Sequence, residues 1–373
     1  MEELDQIRQR INIVDLISES VQLRKMGRNF KALCPFHNER TPSFVVSPER
    51  QIWHCFGCNR GGDVFTFLME IDRLEFPEAL KILADRVGVK LTSRTTDSGQ
   101  SKLKEILLAQ HQLAAEYYHY VLTSHKTGER ARLYLKERGV TDKLIRTFQL
   151  GFAPTSWDNL TRYLKKKGFR ETDIEKSGLA VKGRSGLYDR FRARIMFPLK
   201  NYRGTTIAFA GRLLDKDAKE AKYINSPETL LYTKGETLYG LDTTKESIRK
   251  NAAAVIVEGE FDAISSFASG VANVVAIKGS ALTEAHVSLL RRFTERVILA
   301  LDADSAGDTA SRRGIEIADR AGIEVRGVGI PTGKDPDEAA RENPALWKKT
   351  ISDSVPFYDF LIESALKRYD VRE

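Results

Sequence analysis

The chain has 373 residues, 42% of them hydrophobic, with 59 lysines and arginines against 51 acidic residues, a net charge of +8 and a pI near 9.2. That length holds two to three domains with ordinary cores, and the positive balance suits a polyanionic partner without identifying one. Neither a membrane-spanning segment nor a secretory signal is expected: the most apolar run, 261–277, carries Asp262, three serines and a glycine, and the opening Met-Glu-Glu-Leu-Asp-Gln is charged with no apolar core behind it.

Along the chain, the first signal is Cys34-Pro35-Phe36-His37, followed after seventeen residues by Cys55-Phe56-Gly57-Cys58. Two ligand pairs at this spacing can each close a knuckle around a tetrahedral ion, and three thiolates with one imidazole are a common structural zinc set. All three cysteines are used, which suits a reducing cytoplasm. Between the pairs, 42–47 and 51–54 read as hairpin strands around Ser47-Pro48-Glu49-Arg50, which brings the knuckles together. His54 is the alternative ligand, but as the strand neighbour of Cys55 it should point away. Four protein ligands leave no position for water, so one structural Zn2+ is expected, contributing on the order of 10 kcal/mol of folding free energy to a small module.

Residues 92–101 are polar, rich in Ser and Thr and without apolar periodicity, and read as a flexible linker. Beyond it, 103–122 has apolar residues at helical spacing, 126–147 reads as two shorter helices, and 195–214 as strands around the turn Asn201-Tyr202-Arg203-Gly204. Arg190, Arg192 and Arg194 alternate, so an extended chain would put them on one face, where three guanidinium groups attract an anion. The competing reading is a solvated strand surface with acidic partners elsewhere.

Three acidic patches follow at or just beyond the ends of apolar runs: Glu258, then Asp302 and Asp304, then Asp335 and Asp337. The runs 252–257 and 297–301 have the continuous apolar character of strands buried on both faces of a parallel sheet, with 271–277 and 323–330 as further strands. Helical spacing at 261–267, 282–293 and 306–321 completes a repeat of strand, acidic turn and helix. Open α/β sheets bind ligands outside the carboxyl ends of their strands, where these acids fall. Asp302 and Asp304 are two apart and would share one side of an extended chain, as would Asp335 and Asp337. Crowded carboxylates repel one another and generally need cations between them, which points to magnesium, although any one patch alone is more often a solvated turn or helix cap. Lys278-Gly279-Ser280, between a strand and a helix, is a lower-ranked phosphate-cradle candidate.

Glu258-Gly259 with Asp302-Ala303-Asp304 and Ala306-Gly307 resembles a Toprim domain, the fold shared by topoisomerases, DnaG-type bacterial primases and some nucleases. The stretch 34–69, CPFHNERTPSFVVSPERQIWHCFGCNRGGDVFTFLM, is similar to the zinc-binding domain of DnaG-type primases, and EFPEALKILADRVGV at 75–89 to the helix that closes it. Segments 131–139, 188–198, 222–228 and 232–241 resemble the primase polymerase domain. Two departures are visible: Asn59 where the family usually has Gly, and Glu260-Phe261 where it commonly has Tyr-Met.

The resemblance implies a multidomain α+β and α/β fold. Its parts would be a zinc ribbon (1–91), the linker (92–101), the N-terminal subdomain of an RNA polymerase domain with mixed α/β structure (102–250), a Toprim unit with a parallel sheet (251–340) and the beginning of a C-terminal helical subdomain (341–373), with 357–369 its first helix. The family's helicase-binding domain is expected to be absent. The implied activity is that of a DNA primase, a DNA-directed RNA polymerase that makes short RNA primers on single-stranded DNA from ribonucleoside triphosphates. Two or more Mg2+ (or Mn2+) ions would be held by Glu258, Asp302, Asp304, Asp335 and Asp337, with Glu258, Asp302 and Asp304 catalytic. The strand-end position of Glu258 permits both a direct-ligand and an acid/base role. Nucleic-acid or nucleotide contacts are implied for Arg190, Arg192, Arg194, Lys222, Asn225, Lys234 and Lys278. Expected partners are template DNA and ribonucleoside triphosphates, with single-stranded DNA-binding protein a further candidate, in the nucleoid-associated replication machinery of a bacterial cytoplasm; the replicative helicase partners the family through the domain expected to be absent here. A Toprim nuclease or topoisomerase-like enzyme, and a non-catalytic zinc-ribbon DNA-binding protein, are the alternatives.

Overall fold

A computed structural model describes residues 2–37, 39–72, 74, 76–89, 91, 99–215, 220–278, 282–301, 309–331, 335–360 and 362. The N-terminal module begins with α1 (Glu2–Arg10) and α2 (Ile13–Ser18), followed by β1 (Arg24–Met26), β2 (Asn29–Ala32), β3 (Phe44–Ser47), β4 (Ile52–Cys55) and β5 (Gly61–Gly62), then α3 (Val64–Asp72) and α4 (Phe76–Val87). The strands form an antiparallel sheet in sequential order. Alternation in β3 buries Phe44 and Val46, and Phe44 joins Phe36, Trp53 and Phe67 in an aromatic cluster with ring centroids 5.1 to 6.3 Å apart. These rings give a small module a core, each burying a large apolar area. The expected hairpin is β3–β4, with Ser47 opposite Ile52. Strands β1 and β5 carry too few residues for a pattern to register, and the residues of β2 do not alternate in burial.

The middle region opens with α5 (Gly99–Thr123), then α6 (Glu129–Glu137), α7 (Asp142–Thr147), β6 (Gly151–Ala153), α8 (Asn159–Lys166), α9 (Glu171–Lys176), β7 (Ala180–Gly183), β8 (Gly186–Asp189), β9 (Arg194–Lys200), β10 (Thr206–Leu213) and β11 (Tyr223–Asn225). Helix α5 starts earlier than its apolar spacing predicts: Gly99, Gln100 and Ser101, read as linker, form its first turn, while 92–98 lie outside the described residues. One end of α5 is tied to α4 through Lys81–Glu105 at 2.5 Å and Lys104–Glu78 at 3.2 Å. The other end lies against β6, where a Cβ on Gly151 would come within 2.5 Å of Tyr118 Cβ. His119 Nδ1 bonds the Leu150 carbonyl there at 2.7 Å. The sheet order is β11-β10-β9-β6, all antiparallel, with β7–β8 a separate hairpin.

The last unit consists of α10 (Leu241–Asn251), β12 (Ala254–Val257), α11 (Glu260–Ala268), β13 (Val274–Ala276), α12 (Glu284–Leu290), β14 (Arg296–Leu299), α13 (Thr309–Arg320), β15 (Glu324–Gly327), α14 (Pro336–Glu342), α15 (Pro344–Ser352) and β16 (Val355–Pro356). Its sheet runs β13-β12-β14-β15-β16, parallel except for β16. All of Ala254, Val255, Ile256 and Val257 are buried, as a central parallel strand covered on both faces requires. Strand β16 comes from the segment expected to begin a helical subdomain; Pro356, which has no N–H to donate, fits only at such an edge. Of the helix expected at 357–369, only 357–360 and 362 are described, and Phe357 is buried. Side-chain caps set several starts: Asp335 accepts from Glu338 N and Asn343 from Leu346 N, each followed by proline at the first helical position. Such caps contribute about 1 kcal/mol each.

The N-terminal module is docked on the other two units. Tyr202 in the β9–β10 turn donates to Asp72 Oδ1 at 2.6 Å, and Arg203 pairs with the same carboxylate. Arg292 donates to the Ile71 carbonyl at 2.9 Å, Gln22 to that of Phe293 at 3.2 Å, and Arg291 to those of His37 and Glu39 at 3.3 and 3.0 Å.

Candidate metal centres and nucleic-acid interface

Cys34, His37, Cys55 and Cys58 converge, with one ligand atom from each lying within 4.8 Å of the others. Cys34 Sγ and Cys58 Sγ are 3.9 Å apart, and Cys55 Sγ is 3.7 Å from His37 Nδ1. A tetrahedral Zn2+ with bonds of about 2.3 Å requires S···S separations near 3.8 Å, so the set fits the ion. Phe36 N donates to Cys34 Sγ and Cys58 N to Cys55 Sγ, the pattern a thiolate accepts. Burial pushes the Cys34 thiol up, a penalty that a bound dication removes. His54, as expected from its strand position, is not in the group.

Sequence reasoning missed the support around these ligands. Glu39 accepts from Cys34 N at 2.7 Å and from Ser43 N at 3.1 Å, takes the Ser43 hydroxyl, and faces His37 Nε2 at 3.3 Å. A carboxylate on the far nitrogen fixes the ring and makes Nδ1 a better donor to a metal. A Cβ on Gly57 would lie 2.5 Å from His37 Nε2, so the second knuckle closes only over glycine. Asn59, the departure from the family's glycine, has φ 58, a left-handed value that asparagine tolerates.

At the carboxyl end of β12, Glu258 precedes the first turn of α11. Asp262 Oδ2 accepts from Gly259 N at 2.9 Å, and its Oδ1 accepts from Asp337 N at 3.2 Å. Asp262, another residue the motif reading passed over, therefore ties the turn carrying Glu258 to the start of α14, which carries Asp335. Asp302 and Asp304 lie outside the described residues. Strand β14 pairs with β12, and Ala300 N donates to Ile256 O at 2.9 Å, so the chain leaves β14 beside the Glu258 turn.

Asp337 does not follow the expectation that it shares a side with Asp335. Asp335 is the N-cap of α14 and Asp337 lies in its first turn, so the two-residue spacing of an extended chain does not apply. Asp337 is 2% exposed; Arg138 and the Ser265 hydroxyl bond its oxygens, and Arg341 adds contacts at 3.1 and 3.2 Å. Burial alone would raise its pKa, but Ser265, Arg138 and Arg341 together hold it below the usual carboxylate range.

The basic residues separate likewise. Ala193 adopts φ 52 and breaks the extended chain assumed for the arginine run. Arg190 Nε donates to the Gly178 carbonyl at 2.7 Å. Arg192 lies 4.4 Å from the ring of Trp157, itself 64% exposed. Arg194 is buried and donates to the Ala221 carbonyl at 2.9 Å and to Glu220. Lys278, expected to cradle phosphate, instead forms a buried ion pair with Glu260. Lys222 and Lys234 are exposed, and Asn225 pairs with Ala210 across β10–β11.

A further cation emerges only in three dimensions. Arg212, 8% exposed, faces Tyr223 across the same strand pair, and the Phe261 ring has two guanidinium groups near it, Arg138 at 4.4 Å and Arg212 at 4.9 Å. Arg212 also stacks on Tyr134 and Tyr223 and makes no ion pair among the described residues. This cationic, aromatic wall adjoins the Glu258 turn.

Sequence comparison agrees with the geometry part by part. A profile described as CHC2 zinc finger matches residues 1–99, one described as DNA primase catalytic core, N-terminal domain, matches 117–245, and one described as Toprim-like matches 255–340. The chain belongs to the DnaG-type DNA primase family. A DNA primase of Halalkalibacterium halodurans is 42% identical over 367 residues, covering 96% of this chain and 60% of the relative. That of Listeria monocytogenes is 44% identical over 352 residues, covering 91% and 56%. The chain thus spans a little over half the length of these primases. Among solved structures, the zinc-binding and RNA polymerase domains of the Aquifex aeolicus primase align with a TM-score of 0.63 at 36% identity, covering 98% of this chain and 88% of that one. A DnaG primase catalytic domain bound to single-stranded DNA aligns with a TM-score of 0.62 at 31% identity, covering 73% and 86%. The CHC2 match and the ligand cluster assign zinc to the first centre, and the Toprim match implies a divalent metal at the second. Among the described residues, no helix is long and apolar enough to cross a membrane.

Proposed function

We propose that this chain is a DNA primase that polymerises ribonucleoside triphosphates into short RNA primers on single-stranded DNA. The observation that carries the reading is the joining of the Glu258 turn to the Asp335 helix through Asp262, at the carboxyl ends of a parallel sheet and beside the Arg212–Phe261 wall. Glu258, Asp302, Asp304 and Asp335 would hold magnesium, which would supply charge neutralisation for the triphosphate and a lowered pKa for the attacking 3'-hydroxyl. Asp337 serves that site from behind, by anchoring α14 to Arg138 and Ser265. The exposed Lys222 and Lys234 offer positive charge to triphosphate oxygens, and Arg192 on Trp157 offers a stacking and cationic surface to single-stranded template. The zinc module takes part in selecting the start site, and the enzyme acts in a bacterial cytoplasm.

The test is incubation with labelled ribonucleotides, single-stranded DNA and magnesium. Wild type should produce oligoribonucleotides, and Asp302→Ala and Asp304→Ala should not. No product from wild type, or undiminished product from either variant, would overturn the reading; cleavage of the DNA would favour a nuclease.

A further inference from the structure

Glu260 and Lys278 form an ion pair inside the protein, with side chains 6% and 3% exposed. Each is attached to the turn that presents Glu258. Glu260 is two residues on, at the first position of α11. Lys278 follows β13, and its backbone N–H donates to the Glu258 carbonyl at 3.1 Å, extending the ladder that joins Ile277 N to Val257 O. Lys278 adopts φ 51, a conformation a non-glycine residue holds only where its surroundings impose it. The side-chain pair thus closes a ring whose other bonds are the Lys278–Glu258 backbone hydrogen bond and the Glu258–Glu260 peptide segment.

Two apolar side chains would fill this space without desolvating two charges, so stability alone does not account for the pair. A charged pair adds direction, fixing the first residue of α11 against the end of β13 and leaving the intervening turn little freedom. Position 260 is also where this chain departs from the tyrosine common in its family. Contact with a substrate phosphate does not explain Lys278, because its ammonium group is enclosed and already bonded to Glu260.

We propose that Glu260 and Lys278 are positioning residues for the metal centre, their ion pair holding the strand-end turn in the geometry from which Glu258 meets a divalent cation. The inference rests on reading Glu258 as part of that centre.

The test uses the full chain with zinc bound and the double variant Glu260→Gln/Lys278→Met, which removes the pair without stranding a buried charge. Mn2+ binding to the free protein is followed by electron paramagnetic resonance, and primer synthesis is followed against nucleotide concentration. The double variant should keep wild-type zinc content and circular dichroism, bind Mn2+ about tenfold more weakly, and lose kcat with little change in KM for nucleotide. Lys278→Arg, which keeps the pair, should retain Mn2+ affinity even if the double variant folds poorly. Wild-type Mn2+ binding in the double variant would overturn the proposal, as would a raised KM with Mn2+ binding intact, which would make Lys278 a phosphate contact. If wild type binds Mn2+ and the double variant binds it weakly while neither makes primers, the primase reading fails and the positioning role stands.

Discussion

Arg291, at the end of α12, donates to the backbone carbonyl of His37, a zinc ligand more than 250 residues earlier in the chain, at 3.3 Å. The same guanidinium bonds the Glu39 carbonyl, so a helix of the Toprim-like unit grips the first knuckle by its backbone. Arg291→Ala should loosen this docking while leaving one equivalent of zinc bound. Small-angle scattering should report a larger radius of gyration for the variant; an unchanged profile would mean that the contacts of Asp72 and Arg292 hold the module unaided.

Zinc retention should depend on Glu39. Glu39→Gln keeps the shape but removes the charge facing His37 Nε2, and should weaken zinc binding on the order of tenfold. Competition with a chromogenic chelator measures this, and equal retention by both proteins would remove Glu39 from the zinc site. Gly57→Ala should lose zinc more severely, because the added methyl group collides with the His37 ring.

Arg138→Ala, which removes a tie between the middle region and α14, should destabilise the chain by about 2 kcal/mol. The loss is less than for a fully enclosed pair because Arg341 still meets Asp337 and Arg138 is itself partly exposed. Urea denaturation followed by circular dichroism reads the change, and an unshifted midpoint would show that Arg341 and Ser265 satisfy Asp337 unaided.

Mild acid should weaken the fold through His111. It is fully buried on α5, with Nδ1 on the Leu107 carbonyl at 2.8 Å, and burial pulls its pKa from 6.5 to about 4 against that hydrogen bond. Between those values the unfolded chain binds a proton that the folded one refuses. The stabilisation is therefore complete above pH 6.5 and falls by up to about 1.4 kcal/mol per pH unit as pH drops towards 4. His286 is shifted the same way, also by burial. His111→Leu should flatten the pH dependence of unfolding by one histidine's share; an identical slope would mean that the ring takes up its proton equally in the folded and unfolded chain.

The parallel sheet was legible because strands covered on both faces must be apolar throughout, and Ala254 to Val257 are. The zinc ligands were legible because tetrahedral geometry dictates their spacing. The arginine run was misread because nothing in its composition reveals that Ala193, a residue with a Cβ, takes a left-handed φ. Asp337 was misread because its partner Arg138 lies 199 residues away and because a helix cap at Asp335 turns what looks like an extended dipeptide pattern into a helical one. Strand β16 has two residues, fewer than one period of any pattern. Arg212 would have been found only by knowing that β11 brings Tyr223 alongside it.

Helix α5 has 25 residues, about 37 Å of unbroken rod, clasped by α4 near its start and embedded against β6 near its end. The rotational register between the helix that closes the zinc module and the middle sheet is therefore fixed by a count of helical residues. One residue inserted midway along α5 would swing Lys104 and Glu105 about 100° away from α4 while leaving both ends chemically intact. The helix acts as a key whose teeth must face two locks at once, α4 at one end and β6 at the other.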